Sequence, residues 1–184
     1  MSSYSLLEDV AQWRVLIVDD EPDNLTLASE FLTFSGATVA VTERGEELLA
    51  MVDEFLPTII LLDLAMPGID GWEIQRRLRT RTELSHIPII ALTAMAMPED
   101  VERAKMAGFD GYITKPFRVG SLLRDIKTCV AAFVERLEAA ARKTQEMSSM
   151  AETSHSQAQR RGQPQPAKEP IHERTETMEN HSDG

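Results

Sequence analysis

Four apolar runs in this chain end on residues that can do chemistry. Val15-Leu16-Ile17-Val18 leads into Asp19-Asp20-Glu21, and Ile59-Ile60-Leu61-Leu62 into Asp63. Ile87 to Leu92 closes on Thr93-Ala94, and Gly111 to Thr114 on Lys115-Pro116. An isolated ionised group is expensive in an apolar interior, so a buried run does not end on a carboxylate without compensation. If these runs are adjacent parallel strands, Asp19, Asp20 and Asp63 converge, with a hydroxyl and an ammonium on the same rim. Carboxylates this close repel and raise one another's pKa. A hard divalent cation resolves the conflict, and Mg²⁺ favours one or two carboxylates, several waters and a phosphoryl oxygen. In that arrangement Asp63 can attack a phosphoryl group as a carboxylate nucleophile. Asp20, with Asp19, would hold the Mg²⁺, while Thr93 and Lys115 would each meet one phosphoryl oxygen.

The elements between these residues must place them together. Leu25, Ala28, Phe31 and Leu32 lie on one helical face of Pro22 to Ser35, which Gly36 terminates. Val39 and Val41 alternate against threonines in a strand over Thr38 to Thr42. Leu48, Leu49, Val52 and Phe55 give helical spacing from Glu46 to Phe55, ended by Pro57. Further helices are expected over Trp72 to Arg79 and Asp100 to Met106, and a long one from Val119. Five strands alternating with five helices, the strands nearly continuous in apolar residues, indicate an α/β fold. A doubly wound five-stranded parallel sheet of order 2-1-3-4-5, flavodoxin-like, is the expected arrangement. Ligands in such sheets bind beyond the carboxyl ends of the strands, where these side chains fall.

Composition bounds the rest. The chain has 184 residues, 42% hydrophobic, with a formal net charge of −11. That charge argues for solubility and against nucleic acid as a partner. A single cysteine, Cys129, fits a reducing cytosol and reads as a small helix residue. There is no signal-peptide pattern and no apolar run of membrane-spanning length, so no membrane contact and a cytoplasmic location are expected. From Ser148 onward the chain lacks aromatic residues and is dominated by Ser, Gln, Glu and Pro. Disorder is therefore expected over 148–184. The remaining divisions are an N-terminal extension over 1–12, the folded domain over 13–133, and an extension of the last helix over 134–147.

The motifs Asp19-Asp20, Asp63 with Met66-Pro67-Gly68 and Asp70-Gly71, Thr93-Ala94, Ala107-Gly108, and Tyr112 to Lys115-Pro116-Phe117 occur in one order along the chain. Singly each is weak; their joint order and spacing is specific. Residues from about Arg14 to Ala132 resemble the receiver domain of two-component response regulators. The resemblance implies that Asp63 accepts phosphate from a phosphohistidine on a sensor histidine kinase or a histidine phosphotransfer protein. It implies a cis peptide at Lys115-Pro116, and the backbone carbonyl of Ala65 as a further metal ligand beside Asp19, Asp20 and Asp63. Tyr112 matches the aromatic that changes rotamer when the threonine moves onto the phosphoryl group, so Thr93 and Tyr112 are switch candidates.

Plainer readings stand beside these. An Asp pair before a helix also serves as a cap or a solvated turn, Thr93 as a strand end, and Lys115 as a loop charge. Tyr112 also suits half-buried sheet packing. None of the four histidines matches a site. Ala65 and Met95 stand where other receivers carry polar groups that orient an attacking water, so slow self-dephosphorylation is expected. Met95 and Met97 also suit simple loop cover.

The stripe Val119, Leu123, Ile126, Val130, Phe133, Leu137, Ala140 and Met147 runs along the last helix. Beyond Phe133 it exceeds what the sheet needs, and suits either a frayed linker or a weak homodimer contact. The expected function is that of a single-domain response regulator without a DNA-binding output and without enzymatic turnover. It would act on a downstream protein through the face of the fourth helix, fifth strand and fifth helix. Two rivals are a receiver-like binding module that never accepts phosphate and a haloacid-dehalogenase-like phosphatase. The latter places its nucleophile on the first strand with a second acid two residues on, an order absent here.

Overall fold

A computed structural model of the chain describes residues 9–94 and 98–161. Five strands, β1 Arg14–Val18, β2 Thr38–Thr42, β3 Ile59–Asp63, β4 Ile89–Thr93 and β5 Gly111–Thr114, form one sheet of order β2-β1-β3-β4-β5. All four pairings are parallel. The helices are α1 Pro22–Phe34, α2 Gly45–Phe55, α3 Gly71–Thr80, α4 Pro98–Met106 and α5 Val119–Arg161. This is the α/β fold that the alternation of apolar runs and helical stripes predicts.

Period-two alternation divides the strand residues between two cores. Val15, Ile17, Ile59, Leu61, Ile90 and Leu92 pack against Leu25, Ala28 and Leu32 of α1 and Leu122, Ile126 and Val130 of α5. Leu16, Val18, Ile60, Leu62, Ile89 and Ala91 face the other way, against Leu48 and Val52 of α2 and Ile74 and Leu78 of α3. Each Val, Leu or Ile side chain so buried contributes about 1.5–3 kcal/mol. β3 and β4 are buried along their whole length, so the residues at their carboxyl ends have rigid supports.

Several boundaries move from their sequence positions for identifiable reasons. The fourth strand begins at Ile89 rather than Ile87, because Pro88 has no N–H for the ladder; its carbonyl still accepts from Ile60 N at 3.0 Å. α3 begins at Gly71, where the Asp70 carboxylate caps it through Glu73 N at 2.8 Å. α4 begins at Pro98, a residue suited to a first helical turn. α2 ends with Leu56 in the left-handed region at φ 51, since Pro57 disfavours a helical conformation in the residue before it.

The largest correction concerns the C-terminal segment. Disorder was expected from Ser148, yet α5 runs on to Arg161. No Gly or Pro stands between Gly120 and Gly162, and extending an existing helix costs far less than starting one. Residues 162–184 of the expected disordered tail, and 1–8 of the N-terminal extension, lie outside the described residues. The chain divides into two units after Ala141. In the first, packing extends past both expected boundaries of the 13–133 domain: Val10 lies against the core, and Val134 is buried.

At the sheet's amino edge Asp110, just before β5, joins four elements. Its carboxylate accepts from Arg136 of α5 at 2.7 Å, from Arg79 of α3, and from Ile89 N of β4 at 2.8 Å. At the opposite edge Gly71 makes a close approach possible. A Cβ there would lie 2.2 Å from the Asp63 carbonyl oxygen and 2.9 Å from Leu64 Cα. Neither backbone atom can move without shifting the end of β3. Gly71→Ala is expected to lower unfolding stability by about 2–3 kcal/mol, read as a reduced denaturant midpoint.

Candidate functional site

The sheet register brings the chemistry-bearing residues together. Val18 pairs with Leu62 in adjacent parallel strands, so Asp19 and Asp63 leave the sheet side by side. Asp63 pairs with Leu92 and Thr93 with Thr114, which carries the rim on to Lys115. Carboxylate oxygens of Asp19, Asp20 and Asp63 all lie within 4.8 Å of one another. Asp19 is fully buried and Asp63 nearly so, whereas Asp20 is half-buried at the mouth.

Lys115 compensates the two buried acids. Its Nζ lies 2.6 Å from Asp19 Oδ2 and 2.6 Å from Asp63 Oδ2. Burial works to lower the lysine's pKa, but hydrogen bonds and charge from both carboxylates outweigh it and hold the ammonium above its usual range. The other Asp63 oxygen accepts from Ala65 N at 3.0 Å, a donor supplied by the turn after β3. The Lys115-Pro116 peptide is cis, as the resemblance implies.

Thr93 is buried at the end of β4, on the same rim as Asp63 and Lys115. Ala65 is exposed beside Asp63. Tyr112 lies on β5, pairs in register with Ala91, and is 40% exposed. Met95, which with Ala65 is the basis for the expected slow dephosphorylation, and Met97, its companion in the loop-cover reading, lie outside the described residues.

One residue at the mouth, Asn24, escaped the sequence reading. Asn24 of α1 donates its side-chain amide to Asp19 and Glu21, and Glu21 N donates to Asp19 Oδ1 at 3.0 Å. The available signal was an amide one helical turn after the acids.

The donor set fits a hard divalent cation. Asp20 is held above the ordinary carboxylate range first by partial burial, and also by repulsion from Asp63 and Asp19. An acid with a raised pKa costs stability once ionised, and the cost disappears as pH falls and the group protonates. Three carboxylates against one ammonium leave net negative charge that a cation would neutralise.

Away from this mouth, an open groove of about 1080 Å³ runs between α4, β5 and α5, with Tyr112, Phe117, Cys129, Ala132 and Arg136 on its walls. Among the described residues the one group of acids spaced to share a metal ion is Asp19, Asp20 and Asp63, none of which lines this groove. Among the described residues no helix is long and apolar enough to cross a membrane.

Residues 15–127 match the response regulator receiver domain. The polar-differentiation response regulator DivK of Brucella anthropi is 38% identical over 114 residues, which cover 62% of this chain and 93% of DivK. The chemotaxis response regulator CheY4 of Vibrio cholerae superposes with a TM-score of 0.61 at 29% identity, over 64% of this chain and 98% of CheY4. The BeF3-activated receiver domain of DrrB, a Thermotoga maritima protein, superposes at 0.56 with 32% identity, over 65% of this chain and 97% of that domain.

Asp20→Asn is expected to raise the metal-free melting temperature at neutral pH by roughly 1–4 °C, by removing a repelled charge. The same substitution should abolish any further rise on adding Mg²⁺, which is expected in the wild type if the cluster takes the cation. Differential scanning calorimetry with and without Mg²⁺ checks both.

Proposed function

Because this chain belongs to the response regulator receiver family, we propose that Asp63 accepts a phosphoryl group from a phosphohistidine on a sensor histidine kinase or a histidine phosphotransfer protein. The observation that supports the reading best is the setting of the Asp63 carboxylate. It is held by Lys115 and Ala65 N at the end of a fully buried strand, with Asp19 and Asp20 beside it. An Asp63 oxygen forms the new bond to phosphorus as the bond to the donor imidazole nitrogen breaks, and the imidazole keeps the electron pair.

Asp19, Asp20, Asp63 and the Ala65 carbonyl would hold Mg²⁺. Bound there, the ion supplies charge neutralisation for the phosphoryl oxygens. Lys115, already paired with Asp63, can shift its ammonium to a phosphoryl oxygen, and the Thr93 hydroxyl donates to another. Moving Thr93 changes what packs at the end of β4, and Tyr112 one strand away transmits that change to the groove between α4, β5 and α5. A downstream protein would be bound on that face. The protein is a signalling switch and not a turnover enzyme.

Ala65 offers no polar side chain to orient a hydrolytic water, so the phosphoryl group should persist for many minutes. Incubation with acetyl phosphate and Mg²⁺ should add the mass of one phosphoryl group to the wild type, decaying on that timescale, and none to Asp63→Asn. A wild type that gains no mass would instead identify a receiver-like binding module.

A further inference from the structure

We propose that Asn24 is a positioning residue that fixes the Asp19 carboxylate for Mg²⁺; this inference rests on the metal reading of the acidic mouth. The Asn24 side-chain nitrogen lies 3.3 Å from each Asp19 oxygen and 2.8 Å from Glu21 Oε2. With Glu21 N on Asp19 Oδ1 and Lys115 on Oδ2, donors from three residues fix the orientation of this carboxylate. Only the NH₂ end of the amide can face two carboxylates, so its orientation is determined by its partners.

The Asn24 side chain does not cap the backbone of its helix. Asn24 lies in the first turn of α1, whose N-cap, Glu21, makes no side-chain capping bond. Free backbone N–H groups and the positive end of the helix dipole at such a terminus call for an acceptor. Asn24 instead points a donor away from the helix and into the acidic mouth. Its energetic return lies in the carboxylates it aligns.

The choice of a neutral amide also has a physical logic. A lysine or arginine at this position would align Asp19 equally well but would add a positive charge beside the cation's place. The amide orients the ligand and leaves the negative charge of the cluster available. It also gives the neighbouring Glu21 carboxylate a hydrogen-bond partner. Groups that orient metal ligands in this way influence affinity strongly, and losing one costs about 10–100-fold.

Isothermal titration of the full chain with Mg²⁺ tests the proposal, with the metal-free melting temperature measured in parallel. Asn24→Leu, which keeps the side chain's shape and removes its donor, is expected to weaken Mg²⁺ binding about tenfold. Its metal-free melting temperature should fall by roughly 2–6 °C for the lost bonds to Asp19, with the chain still folded. Asn24→Gln, which restores the donor, should recover much of the affinity, whereas Asn24→Lys should remain weak. Unchanged Mg²⁺ affinity in Asn24→Leu would overturn the proposal while leaving the metal reading intact, as would a glutamine variant no better than the leucine one. A wild type that binds no Mg²⁺ would overturn both.

Discussion

The ammonium of Lys115, 2.6 Å from Asp19 and from Asp63, is the contact on which the carboxyl edge of this sheet depends. Two nearly desolvated carboxylates this close, at the ends of neighbouring strands, would force those strands apart if left alone. A single positive charge brought in from after β5 satisfies both and ties three non-consecutive segments together. Removing one partner of such a buried cluster leaves an uncompensated charge, which is why these sites are strongly destabilised by truncation. The same contact makes the site responsive. A lysine shared between two acids can be drawn to a new anion without leaving the rim, and the strands that carry the acids are too well buried to follow.

Much of this was legible in the sequence because its signals agree across scales. Apolar runs of strand length alternate with helical stripes, and each run that mattered ended on a reactive side chain. Once the sheet order is given, the convergence of Asp19, Asp63 and Lys115 follows from the runs alone. Helix ends and mouth contacts were less legible. The continuation of α5 to Arg161 contradicts its polar composition, because helix propagation depends on the absence of breakers more than on hydrophobicity. Asn24 gave only a faint signal since a polar residue in a first helical turn is ordinary, and its significance lies in which way its amide points. The Asp110 cluster was hidden for a related reason: Arg79, Ile89 and Arg136 meet it only in three dimensions.

The two edges of the sheet show opposite solutions to a buried acid. At the amino edge, Asp110 has two guanidinium groups and a backbone N–H, and burial still leads the causes that raise its pKa. It joins α3, β4 and α5 with its charge compensated by permanent partners. At the carboxyl edge three acids share one lysine, and Asp20 remains poorly compensated. One edge is closed chemically and the other is left short of positive charge. Between them Gln75 of α3 is fully buried with no protein partner for its amide among the described residues, a local cost that neither edge explains.

Cys129 gives the groove an intrinsic handle. It is the chain's single cysteine, half-buried on the groove wall, with Sγ 3.9 Å from the Tyr112 carbonyl. Burial holds the thiol above its usual pKa, which lowers its thiolate fraction at neutral pH. A maleimide or disulfide-tethered fragment would therefore attach at one place, on the face where Tyr112 lies, with no engineered residue. The native chain is already a site-selective chemical reporter of that surface.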